Sequence, residues 1–173
     1  LALAGLVLGA CSNNSSKSTA DSDAKHIGIL QYVEHESLTA AREGFVEQLE
    51  EDGYTDGKNI VIDYQNAQGD QSNLQTISES LIKDNDIILG IATPAAQSLV
   101  AATSDIPVLF TAVTDPVSAK LVESMEKPGG NATGTSDMSP IAKQVELLQT
   151  VMPDVKKVGI MYTTNERNSE VQV

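Results

Sequence analysis

The sequence predicts an α/β protein built on a doubly wound parallel sheet, and three observations lead there. Short, nearly continuous apolar runs alternate with segments whose apolar residues recur every three or four positions. The runs suit strands covered on both faces, and the connections between elements are only a few residues long.

Residues 26–33, HIGILQYV, form the first such run, bounded by polar residues. Leu38, Ala41, Phe45 and Leu49 follow at helical spacing, an amphipathic helix stopped by Gly53. Residues 59–65 make a second strand, and Leu74, Ile77 and Leu81 the next helical stripe. Residues 86–92 make a third strand, 95–103 a third helix and 107–112 a fourth strand, giving the order βαβαβαβ with right-handed crossovers. A short helix is expected over 117–125, ahead of the KPGGN break at 127–131, which neither a helix nor a central strand tolerates. Residues 132–136 read as a fifth strand. Ile141, Val145, Leu148 and Met152 mark a fourth helix, with Ser139 as N-cap and Pro140 at the first helical position. Residues 157–162, KVGIMY, are a further strand of the same character as the first, so strand, loop and helix begin again as in the start of a second lobe.

The chain opens on ten apolar residues, LALAGLVLGA, followed by Cys11. Ten residues span roughly 15 Å as a helix, half of a bilayer core of about 30 Å, which is too short to cross a membrane and fits the apolar part of a secretory signal. Leu8, Gly9, Ala10 and Cys11 resemble a bacterial lipobox, in which the thiol takes the lipid. Residues 12–25 hold no large apolar side chain and cannot offset their own ordering entropy, so 11–25 is expected to be a lipidated polar tether. With no initiating Met before the signal-like run, and a helix that stops at Val173 without a cap, the chain is expected to be truncated at both ends.

Composition removes several function classes. Eleven basic against 24 acidic side chains leave a formal charge of −13, which argues against nucleic-acid binding through a basic surface. The single Cys excludes an intramolecular disulfide and Cys-based metal clusters, and two His leave little for metal catalysis. Neither a Gly-x-x-x-x-Gly-Lys-Ser/Thr loop, a Gly-x-Gly-x-x-Gly turn nor a Gly-x-Ser-x-Gly elbow is present, so no nucleotide cofactor and no nucleophilic triad is expected.

In an open parallel sheet, ligands bind beyond the carboxyl ends of the strands, near a point where the strand order switches. That rule selects the loops at 32–37, 92–95, 111–116 and 163–169. Each leads into a helix N-terminus, whose free N–H groups and dipole favour an anion by about 0.3 to 1 kcal/mol, and three of the four carry carboxylates. Backbone donors beside carboxylates suit a zwitterion. Glu34, nearest the strand tip, is the ligand candidate of the first loop, while His35 and Glu36 read as surface residues leading into the helix. Consecutive residues of an extended chain point to opposite faces, so the three do not make a metal site. Thr93 and Pro94 read as N-cap and first helical residue, with Ala95 next, and ligand contact competes with capping there. Asp115 and Pro116 repeat the device, and with Thr114 also at a strand end, contact is favoured over capping at Thr114 and Asp115.

Taken with the lipobox and tether, the segments AREGF at 41–45, ATPAAQ at 92–97, FTAVTDP at 110–116, GTSDMSP at 134–140 and VGIMY at 158–162 resemble the ABC-transporter substrate-binding lipoproteins, most closely the branch linked to tryptophan and other aromatic amino acids. The resemblance implies a periplasmic-binding-protein-like fold in which two lobes close on a ligand. Lobe 1 would span 26–136, after a partial signal peptide at 1–10 and the tether at 11–25. Residues 137–173 would be the crossover and the incomplete beginning of lobe 2. Ser136 and Asp137 would sit at the first crossover, Tyr32 would offer an aromatic face beside Glu34, and Asn165, Glu166, Asn168 and Ser169 would belong to the ligand-facing loop of lobe 2. It also implies a monomer, not an enzyme, held on the extracytoplasmic face of the cell membrane and working with a permease. Two alternatives stand beside it: an α/β surface hydrolase using Asp115 or Glu34 as base, and a ligand-sensing receptor lobe.

Overall fold

The computed structural model describes residues 24–173. The signal-like segment 1–10, Cys11 and nearly all of the expected tether lie outside the described residues. Lys25, taken from sequence as the end of the tether, is already the first residue of the sheet.

Five parallel strands, β1 (Lys25–Gln31), β2 (Ile60–Asn66), β3 (Ile87–Ile91), β4 (Val108–Val113) and β5 (Ala132–Ser136), form one sheet in the order β2-β1-β3-β4-β5. The order reverses between β1 and β3, which is the switch point of a doubly wound sheet. Helix α1 (Glu36–Glu51) covers one face, and α2 (Gln71–Asp84) and α3 (Thr93–Ala102) pack side by side on the other. The alternation of side chains along each strand explains the two layers. Ile27, Ile29 and Ile91 point to Leu38, Phe45 and Leu49 of α1. Leu30, Ile88, Val108 and Phe110 point to Leu74, Leu81 and Leu99. Each such side chain contributes about 1.5 to 3 kcal/mol by leaving water. Helix α3 lies so close to β3 that a Cβ on Gly90 would stand 2.9 Å from the Ala96 Cα.

Three expectations are corrected. Residues 117–125 form turns, not a helix. The Ala119 N–H bonds to the Asp115 carbonyl for one turn, and then Lys120, at φ +60, ends it in the left-handed region. Ala119, Leu121 and Val122 are still buried in the core layer beneath α2 and α3. The fourth helix, α4 (Ile141–Val151), has Pro140 rather than Ser139 at its N-cap position, without a side-chain cap bond; Ser139 offers its backbone carbonyl to the Ile141 N–H. Residues 157–162 are not a strand: Val158, Ile160 and Met161 are 60%, 61% and 100% exposed. A strand persists only when paired, and none of the described strands pairs with these residues. A five-residue helix, α5 (Arg167–Val171), follows.

Candidate functional site

The carboxyl edge of the sheet gathers the polar loops and most of the backbone strain. Gln68, Ala92 and Ala112, just beyond or at the ends of β2, β3 and β4, have φ of +56, +82 and +55. Ala92, with ψ 153, occupies a region that glycine alone enters easily, at a cost of about 1 to 3 kcal/mol. It is held there by its N–H bond to the Thr111 carbonyl (3.1 Å) and by accepting from Ala96 N–H (3.1 Å).

That kink turns the chain directly into α3 and corrects the capping expectation. Ala92, not Thr93, is the N-cap, and no side chain caps the helix; Thr93 and Pro94 are its first two helical residues. Thr93, Pro94 and Ala95 are all buried at the switch point. Since a helix leaves its first N–H groups without internal acceptors and Pro94 has none to give, Thr93 and Ala95 present the open donors.

Beside them, Tyr32 ends the apolar run of β1, half-buried against the α2–α3 layer. Its hydroxyl donates to the Gly69 carbonyl at 3.3 Å. Burial pushes that hydroxyl above the ordinary tyrosine range, and the negative charges of Glu166 and Asp70 add to the shift. Asn165 and Glu166 precede α5, and they close one side of a cavity of about 580 Å³ whose other walls include Gln71, Pro94, Gln97 and Ser98. Asn168 donates to Glu166 Oε2 (3.4 Å) and keeps its own Oδ1 buried and unpartnered, while the Ser169 N–H donates to the Glu166 carbonyl (3.0 Å). Gln172, absent from the sequence expectation, donates to the buried Thr114 hydroxyl (3.2 Å) and ties this segment to the tip of β4.

Two expected contacts already have partners of their own. Glu34 is exposed on the α1 side, where it accepts from Thr39 and Asn66. Asp115 turns back on its own loop: Oδ1 accepts from the Val117 and Ser118 N–H groups, both at 3.0 Å, and Oδ2 from the Ser118 hydroxyl at 2.6 Å. The Ser118 hydroxyl first, then the Ser118 and Val117 N–H groups, hold its carboxyl below the usual carboxylate range against a small opposing effect of burial. The expected preference for ligand contact over capping at Asp115 therefore meets a carboxylate already engaged as a cap. His35 is the N-cap of α1, its Nδ1 accepting from the Ser37 N–H.

The sequence reading passed over the loop between β2 and α2. Gly69 and Asp70 face Tyr32 across this edge, and Asp70 caps α2 through Ser72 and Asn73. The rule that selected the other loops covers this one too, since residues 67–70 follow directly on the carboxyl end of β2.

Comparison with known proteins places this geometry in context. Residues 26–173 match the family model for ABC transporter substrate binding protein. A curated relative, the tyrosine-binding protein of Clostridioides difficile strain R20291, is 51% identical over 166 residues, 95% of this chain and 48% of that protein. Among solved structures, the ABC domain in complex with L-Trp from Streptococcus pneumonia superposes with a TM-score of 0.83 at 47% identity, covering 86% of this chain and 50% of that one. A ligand-free, open substrate-binding protein with adhesive properties from Clostridium difficile gives 0.73 at 51% identity, with 86% and 51% covered. The chain thus spans about half the length of the relatives it matches.

Proposed function

The chain belongs to the ABC transporter substrate-binding protein family, and on that premise we propose that it forms one wall of a cleft that captures an aromatic amino acid, tyrosine or tryptophan. The whole protein then delivers the ligand to an ABC permease, held by lipid on Cys11 at the extracytoplasmic face of the cell membrane, as a monomer and without turnover. The observation that carries this reading is the uncapped N-terminus of α3 at the switch point, beside Tyr32 and Glu166. The ligand carboxylate takes the Thr93 and Ala95 N–H groups, where the helix dipole favours it. The ammonium takes a carboxylate, Glu34 or Glu166, and Tyr32 supplies an aromatic face to the ring. Thr114, Asn168 and Ser169 line the same edge. Two relatives that share this half are a tyrosine-binding protein and a protein solved with L-Trp, which is the reason for naming aromatic amino acids. The hydrolase alternative is weakened by Asp115, whose two oxygens are engaged in its own turn.

The chain contains no Trp, so added L-tryptophan is the only indole in solution and its fluorescence anisotropy reports binding directly. Anisotropy should rise with the full chain, L-tyrosine should compete and L-leucine should not. The same ligands, followed by calorimetry, should bind more tightly to the chain extended with the C-terminal half of the Clostridioides difficile tyrosine-binding protein. At about one hundred times the dissociation constant, the ligand should add roughly 2.7 kcal/mol of stability. No binding in either protein rejects the aromatic amino acid. Anchoring is checked separately: Cys11→Ser should move the protein from the membrane fraction to the medium with its affinity unchanged.

A further inference from the structure

Five side chains drawn from β1, its following loop, α1 and β2 form a closed hydrogen-bonded ring on the α1 side of the carboxyl edge. Gln31, fully buried at the end of β1, donates from Nε2 to the Thr39 hydroxyl (3.3 Å) and to the Val33 carbonyl (2.9 Å). Thr39 donates to Glu34 Oε1 (2.9 Å). Asn66 donates from Nδ2 to Glu34 Oε2 (3.1 Å) and to the Tyr64 hydroxyl (3.2 Å). Tyr64 closes the circuit by donating to Gln31 Oε1 (3.3 Å), with the Arg42 guanidinium 4.7 Å from its ring centroid.

Donation runs both ways round the ring, from Asn66 to Glu34. Each of its two hydroxyls accepts one hydrogen and gives one, the amides of Gln31 and Asn66 supply the N–H groups, and both oxygens of Glu34 receive. Glu34 is itself exposed, so ring contacts fix a carboxylate whose remaining lone pairs face solvent. A glutamate free on a loop loses rotamer freedom when it takes a ligand, whereas one held by two donors has already lost it. Gln31 is buried and bonded through both ends of its amide, so it cannot turn without losing Thr39 and Tyr64 together, which stiffens the arrangement from within.

We propose that Gln31, Thr39, Tyr64 and Asn66 are positioning residues that hold Glu34 ready for the ammonium group of the ligand, and so set the preference for an amino acid over its des-amino analogue. The inference rests on the amino-acid-binding reading above and chooses Glu34 as the ammonium partner.

The test uses whichever of the two proteins titrated above binds more tightly. Calorimetry measures the dissociation constants of L-tyrosine and of 3-(4-hydroxyphenyl)propionate for the parent, for Tyr64→Phe and for Asn66→Ala, alongside melting curves. Tyr64→Phe keeps the ring under Arg42 and removes only the hydroxyl; Asn66→Ala removes both donors. L-Tyrosine should weaken about three- to tenfold in each variant while the analogue binds as before, so the ratio between the two ligands falls by the same factor. Thr39→Ala, which breaks the bridge from Gln31 to Glu34, reads the same ratio independently should either variant fail to fold. A constant ratio, whether both constants move together or neither moves, overturns the positioning role and leaves amino-acid binding intact. A parent that binds neither compound overturns both.

Discussion

Residues 27–32 read IGILQY and residues 158–162 read VGIMY, yet the first segment runs along an interior strand of the sheet and the second lies outside it. Ile29 and Leu30 are 0% exposed between β2 and β3, with a helix layer on either side. None of the described strands pairs with Ile160 or Met161. The same contrast separates α3, five of whose ten residues are buried, from α4, which buries none although its apolar stripe is equally regular. An apolar run of this kind is a request for neighbours, and whether it becomes a strand depends on whether an edge and a covering helix are there to meet it.

The largest expected effect sharpens that contrast directly. Leu30→Ala should lower unfolding free energy by about 2 to 5 kcal/mol, because it opens a cavity between β1 and the α2–α3 layer. Ile160→Ala, at an exposed position, should stay within about 0.5 kcal/mol of the parent. Chemical denaturation of both variants checks the pair, and a large loss at Ile160 would mean that residues 158–162 are packed after all. Glycines give a second, smaller test. Gly90→Ala should cost about 1 to 3 kcal/mol, since the new methyl meets the backbone of α3, while Gly159→Ala meets nothing and should leave the melting temperature alone.

The smallest effect concerns the turn that replaces the expected helix after β4. Asp115→Ala should cost about 0.5 to 2 kcal/mol as the loss of a cap. Because the folded state holds the Asp115 carboxyl below its usual range, its contribution is complete above the unfolded value near 4 and is lost as the pH falls through the lower, folded value. The difference in stability between parent and variant, followed from pH 7 down to 2, should therefore shrink only at the acid end. A difference independent of pH would assign the loss to packing. If Asp115 also meets a ligand, the variant should bind it more weakly than the cap loss explains.

What was legible in the sequence was whatever depends on local period and on burial within the sheet. All five strands of the sheet, the stripe of α1 and the glycine at +91 beyond its end were readable from spacing alone. The expected helix at 117–125 failed because a single left-handed residue, Lys120, stops it after one turn, and a lysine carries no sequence signal for that conformation. Thr93 looks like a cap because Thr-Pro usually is one; the positive φ of Ala92 moves the helix boundary back by a residue, and its hydrogen bonds with Thr111 and Ala96, together with the packing of α3 on β3, enforce it. At the site, chain-order reasoning found the loops but not the ring that links Gln31, Tyr64 and Asn66, since those residues are brought together by strand pairing, with Gln31 opposite Asn66. Gln172 was likewise invisible, because its partner Thr114 is 58 residues away.

All five strands run the same way, and the described chain enters at Lys25, at the foot of β1. The seven residues of that strand carry the chain roughly 20 Å, at about 3.3 Å per residue, before the first loop of the candidate site begins. The amino-terminal end of the described chain and the loops of the candidate site thus lie at opposite ends of β1. A sensor surface that holds the protein by its amino-terminal side would leave the carboxyl edge of the sheet, with the exposed Glu34, facing the flowing solution.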